Sequence, residues 1–262
     1  TSLCLLALYH ALQKRSAWSM VLFGMALSFK LQTVFFLPTL LPLLLFRKKL
    51  PRFRGRPSAD ITVNALFIGM GACYLANMIA GVFSGILEQY GFYLPDAPDY
   101  LEPTPQSLAV NLLVMALLPA VLEELLFRVT LLGTLRRYGD GTAVLLSALL
   151  FGAMHGYAAQ SLFAFLVGLV LGYITVTTGN VYIAMAIHFA NNALSILISY
   201  AQLHLSDILG GLLAALCVNG LLLAGLVLLI VAALDDVKLK SLLDLAHSLN
   251  MTVLVETHTR EE

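Results

Sequence analysis

The sequence predicts an all-α protein: a polytopic transmembrane bundle of about seven to eight apolar spans, followed by a short soluble α/β-like C-terminal tail. Three observations lead there. Of the 262 residues, 60% are hydrophobic and 11% are charged, whereas a soluble globule carries roughly a quarter of charged residues. Mean hydropathy is +0.88. Between residues 141 and 206 there is no Asp, Glu, Lys or Arg, and that stretch could cross a ~30 Å hydrocarbon layer about three times.

The apolar runs fall at 17–46, 61–87, 107–135, 142–156, 161–178, 181–200 and 208–234, and a stub at 2–12 adds part of another. All are expected to be helices, because an open sheet edge in lipid would leave backbone N–H and C=O groups unpaired. Net charge is zero, from 15 basic and 15 acidic residues, but the charges are segregated. Arg47, Lys48, Lys49, Arg52, Arg54 and Arg56 crowd one loop, and Glu88, Asp96, Asp99 and Glu102 occupy the next. A basic run beside an apolar span reads as a cytoplasmic anchor to membrane lipids, so no nucleic-acid partner is expected. Arg136 and Arg137 mark a second cytoplasmic loop. The run 61–87 then leads outward, the acidic Pro-rich loop 88–106 lies outside, and 107–135 returns. Lys14 and Arg15 disagree with this if 17–46 is one span, and Pro38 and Pro42 are places where it could break.

Cys4, Cys73 and Cys217 sit in separate apolar stretches without ligand-like spacing, and no disulfide framework is implied. The chain starts at Thr1 in apolar sequence with no Met, basic leader or cleavable signal peptide, and reads as a piece of something longer. After residue 234 the character changes. Val237, Leu239, Leu242, Leu243, Leu245 and Leu249 keep helical spacing, Asn250 and Met251 interrupt it, and 252–256 reads as a short strand. The expected division is 1–57, an N-terminal membrane segment with its basic loop; 58–228, one complete membrane domain; and 229–262, the end of the last span and a cytoplasmic tail. The ends read as foreign or truncated, which makes the chain a composite.

Ionisable residues inside a membrane cost about 2.5–3.5 kcal/mol each on insertion scales and are functional candidates by default. Glu123, Glu124 and Arg128 lie within six residues. Glu124 and Arg128 are at i,i+4 with the acid N-terminal, the better order for a helical ion pair. That pairing leaves Glu123 over, about 100° round the helix from Glu124. Taken alone, such a set could simply lock a bundle. His155 ends a later run, and His188 and Asn192 share one face of another, four residues apart. Together these residues supply a general base, imidazoles and donors for an oxyanion, the parts of a hydrolytic site. Glu123, His155 and His188 could also hold a divalent metal such as zinc, with a position open for water. The same residues could work without metal, with a partly desolvated carboxylate as base. The compact His-Glu-x-x-His motif is absent. Gly69 with Gly71, Gly81 with Gly85, and Gly168 with Gly172 are small faces suited to helix packing. Lys30 is expected to snorkel or pair within the bundle.

Glu-Glu-x-x-x-Arg at 123–128, Phe-x-x-x-His at 151–155 and His-x-x-x-Asn at 188–192, in this order on successive helices, resemble the CPBP intramembrane protease family. That family includes type 2 CAAX prenyl proteases and bacteriocin-immunity proteins. The likeness covers about 61–225, and the flanking text is similar to bacterial members, with Val129 where Gly is common. It implies a bacterial plasma-membrane peptidase whose site side and C-terminus are cytoplasmic. Its substrate would be a peptide or protein segment, in some cases prenylated. Carried over by motif, Glu123 with His155 activates water, His188 and Asn192 stabilise the oxyanion, and Glu124 with Arg128 braces the site. The rival reading is a non-catalytic scaffold or immunity-type protein using the same residues structurally.

The two ends resemble other families. The run 25–49 is similar to a span of GT-C-type membrane glycosyltransferases. Residues 229–262 resemble a piece of indole-3-glycerol phosphate synthase, a TIM-barrel enzyme, with Glu256 at a matching strand-end carboxylate. The remaining strands and catalytic lysines of such a barrel are absent, so no barrel active site follows.

Overall fold

The computed structural model describes residues 53–92, 101–155 and 158–248. Six helices carry nearly all of it: α1 Ala59–Gln89, α2 Pro105–Tyr138, α3 Asp140–Ala153, α4 Ala158–Thr178, α5 Val181–Gln202 and α6 Asp207–Ser248. No strand occurs among the described residues, and Arg54 and Asn180 form an isolated bridge. The protein is an all-α polytopic bundle, and each apolar run of the described region lies in a helix. The runs 2–12 and 17–46, Lys30 and the strand at 252–256 lie outside the described residues.

Five helices are long and apolar enough to cross a membrane. The exception is α3, whose 14 residues reach about 21 Å, short of a ~30 Å layer. It ends in a tight turn, with the His155 N–H bonded to the Gly152 carbonyl at 3.0 Å. Ser161, in the first turn of α4, donates its hydroxyl to the His155 carbonyl. A Cβ on Gly152 would lie 2.7 Å from the Ser161 carbonyl, so only glycine lets α3 and α4 approach this closely.

Residues 53–56 and Arg136 lie at one end of the bundle. Gly179 adopts φ +63°, a conformation glycine takes without penalty, and turns α4 directly into α5. Residues 53–56 dock on that turn. The Gly55 N–H bonds the Gly179 carbonyl at 2.8 Å, the Val181 N–H bonds the Phe53 carbonyl at 3.2 Å, and Asn180 Nδ2 donates to the Gly55 carbonyl at 2.7 Å. The Arg136 guanidinium lies 5.6 Å above the Phe53 ring and forks onto Asp140 at 2.6 and 3.1 Å.

Helices α1, α4 and α5 share a core around Cys73, Leu171, Ala184 and Ile187. Gly168 and Gly172 pack on Ala148 and Val144 of α3, and Gly69 on Ile187. Gly81 and Gly85 differ: nothing among the described residues lies within 4 Å of a Cβ built there. Helix α6 lies against α1, where Gly71 and Gly225 let the backbones meet. Beyond the apolar run that ends at residue 234, the stretch read as helical from 235 onward is helix as far as Ser248. Helix α6 is thus one 42-residue helix, and no Gly or Pro between residues 226 and 248 stops it.

Candidate active site

Helix α2 positions the acidic residues, and it is not uniform. It widens at Leu112–Leu117 and again at Leu125–Leu132, where N–H groups reach five residues back. The Leu118 N–H bonds the Leu113 carbonyl, and the Gly133 N–H bonds that of Arg128. Such wide turns rotate the following side chains onto a new face and are frequent at functional sites. Between them the ordinary α-helical segment Leu118–Glu124 carries Glu123 and Glu124. Thr130 lends its hydroxyl to the Leu125 carbonyl at 3.2 Å, which supports the second wide turn.

Glu124 is the bridge of the cluster. Its Oε2 is 2.8 Å from Arg128 Nε, and both side chains are fully buried. The approach lies off the hydrogen-bond axis, so this contact is an ion pair by distance and charge. The guanidinium nitrogens find no hydrogen-bond acceptor among the described residues. Glu124 Oε1 lies 3.0 Å from His188 Nδ1. With Nδ1 engaged by one carboxylate, His188 turns Nε2 toward the other: Glu123 Oε2 is 3.9 Å away. Glu123 and His188 are 4% and 6% exposed, so a few polar side chains from α2 and α5 meet in an otherwise apolar interior.

Phe151 organises the other side. Its ring packs edge-on against Phe127, His155 and His188, at centroid distances of 5.0, 5.1 and 6.0 Å. The Arg128 guanidinium lies 5.1 Å above it. Cation–π attraction strengthens in a desolvated setting, so Phe151 offsets part of the cost of Arg128. Ser147 donates to the Phe127 carbonyl at 2.8 Å and pins α3 to α2. His155 Nδ1 is 2.9 Å from the Phe151 carbonyl of its own helix, which assigns the proton to Nδ1 and leaves Nε2 as an acceptor. Asn192 lies one turn beyond His188 on α5, and its Nδ2 donates to the Met115 carbonyl at 3.1 Å.

The structure therefore gathers Glu123, Glu124, Arg128 and His188 directly, sets His155 across the Phe151 ring, and engages Asn192 with α2 backbone. Among the described residues, no three His, Cys, Asp or Glu side chains are grouped so that they could hold a metal ion. Sequence reading passed over Phe151 as more than a motif letter, and missed Ser147 and Pro119. A proline inside an apolar span was the available signal for the last. A groove of about 280 Å³ lined by Asp140, Val144, Leu169 and Tyr173 lies at the basic end, apart from the cluster.

Fold and site together define an integral membrane protein with a buried Glu–Glu–Arg–His cluster. Residues 105–194, which contain all six candidate residues, match the family model described as type II CAAX prenyl endopeptidase Rce1-like. At the family level this supports an intramembrane protease, over a narrower stretch than the 61–225 read from the motifs. Residues 219–262 match the model for indole-3-glycerol phosphate synthase. The indole-3-glycerol phosphate synthase of Saccharopolyspora erythraea is 64% identical over 39 residues, which are 15% of this chain and 14% of that protein. The chain thus spans about a seventh of the length of that curated relative. No solved structure matches.

Proposed function

We propose that the chain is a CAAX-type intramembrane endopeptidase that hydrolyses a peptide bond with a Glu-activated water and no bound metal. The observation that carries this reading is the pairing of Glu123 with His188 Nε2 at 3.9 Å. Two groups at that separation can both hold one water at about 2.8 Å, the ordinary hydrogen-bond distance. Glu123 takes a proton from that water as it attacks the scissile carbonyl and passes it to the departing amine as the C–N bond breaks, and His155 assists through its Nε2. Asn192 and His188, the latter as an imidazolium with Nδ1–H on Glu124 and a second proton on Nε2, donate to the carbonyl oxygen as negative charge develops there. Preorganised donors in a water-poor site are the strongest aid such a step can receive.

Glu124 and Arg128 have no direct part in the chemistry. Arg128 neutralises Glu124, and Glu124 holds the His188 ring by Nδ1 so that Nε2 faces the reaction. The substrate is a membrane-associated peptide or protein segment, prenylated near its C-terminus, that enters from the cytoplasmic side of a bacterial plasma membrane. The test is cleavage of a farnesylated CAAX peptide by the purified full chain in detergent, with products read by mass spectrometry. Release of the C-terminal tripeptide supports the reading. An intact peptide after prolonged incubation with well-folded protein favours a scaffold or immunity-type role instead.

A further inference from the structure

The outermost polar member of the site is held by a defect in the neighbouring helix. Pro119 stands within α2, at the start of its segment Leu118–Glu124. A proline has no N–H, so the carbonyl four residues earlier, that of Met115, loses its α-helical donor. The Leu118 N–H does not replace that donor, because it is committed to Leu113. Met115 is 43% exposed on the bundle surface, and in lipid an unpaired carbonyl has no water to turn to. The missing donor comes from α5: Asn192 Nδ2 lies 3.1 Å from the Met115 carbonyl. At its other end, Asn192 Oδ1 accepts from Asn191 Nδ2 at 3.1 Å, so the amide is fixed at both ends.

We infer that Pro119 is a positioning residue of the peptidase, acting through Asn192. By leaving the Met115 carbonyl unserved within α2, it draws one N–H of the Asn192 amide onto that carbonyl. This sets the plane of the amide, whose second N–H is left to donate to the substrate oxyanion. The inference rests on the oxyanion role given to Asn192 above. It also explains why a helix carrying the catalytic carboxylate tolerates a proline four residues before it. The residue that would mend the helix would release the donor.

The test is a double-mutant cycle on the full chain in detergent, with wild type, Pro119→Ala, Asn192→Ala and the double variant. Melting temperature and steady-state cleavage of a farnesylated CAAX peptide are both read. Asn192→Ala should lower the melting temperature by several degrees in the wild-type background and leave it unchanged in the Pro119→Ala background, where the restored backbone N–H at position 119 takes over the carbonyl. Such coupling is what contact between two sites produces. Pro119→Ala should also lower kcat roughly tenfold to a hundredfold, as a misplaced catalytic group does, with KM unchanged. An equal melting loss from Asn192→Ala in both backgrounds overturns the inference. If Asn192→Ala does not fold, its recovery by adding Pro119→Ala supports the inference and continued failure contradicts it. Wild-type kcat in Pro119→Ala, with Asn192→Ala inactive, sinks the positioning role alone. Wild-type kcat in Asn192→Ala removes the oxyanion reading and the inference with it.

Discussion

His188 Nδ1 lies 3.0 Å from Glu124 Oε1, and the other oxygen of that carboxylate lies 2.8 Å from Arg128 Nε. One buried carboxylate thus joins a permanent cation on its own helix to an imidazole on another. A carboxylate–histidine contact of this kind fixes both ring orientation and tautomer. The neighbouring Glu123 is left to face the unengaged nitrogen.

Arg128→Ala should be the most destabilising change in the cluster. It strands Glu124 in a fully buried position, and breaking a buried pair in this way costs about 3–5 kcal/mol. It also removes the cation from the Phe151 ring. In detergent the melting temperature of Arg128→Ala should fall well below that of Asn192→Ala. Similar, near-wild-type melting of both variants would show that the pair carries little of the stability.

Peptide cleavage should survive chelation. On the metal-free reading, incubation with 1,10-phenanthroline or EDTA should leave the rate within about twofold of the untreated protein, far from the 10²–10⁴-fold loss expected when an essential catalytic group is removed. Loss of activity on chelation, restored by added Zn²⁺, would put a metal back into the site.

The tail should be dispensable for the chemistry. Residues 219–262 match the model of a barrel enzyme, the matched stretch being 14% of one such enzyme's length, and α6 meets the rest of the bundle through α1 and α5. Cutting the chain after Lys240 removes the last helical turns and Glu256, and keeps Asp235, Asp236, Lys238 and Lys240 as an interfacial boundary. Expression, topology and cleavage should match those of the full chain. If activity vanished on truncation or in Glu256→Ala while the bundle stayed folded, the tail would belong to the site.

Much of the fold was legible because lipid simplifies the code. Every described apolar run had to be a helix, and the Glu124–Arg128 contact follows from i,i+4 spacing. The helical spacing read at 237–249 agrees with α6 as far as Ser248, while the sequence did not show that this stretch and the apolar run 208–234 form one continuous helix. The wide turns of α2 were not legible either, since they depend on which carbonyls neighbouring helices can serve. The role of Phe151 needed three helices to be brought together before its ring could contact Arg128, His155 and His188. Asn192 was given its oxyanion role by the motif resemblance. Its bond to Met115 depended on a proline in a different span.

The central claim is that Glu123 activates the attacking water, and Glu123→Gln tests it most directly. The amide keeps the shape of the side chain and cannot take a proton, while the Glu124–Arg128–His188 contacts remain. Cleavage of a farnesylated CAAX peptide by purified Glu123→Gln, matched to wild type for melting temperature, should fall by about 10²–10⁴-fold, the usual worth of a general base. A Glu123→Gln protein that releases the tripeptide at the wild-type rate would contradict the account.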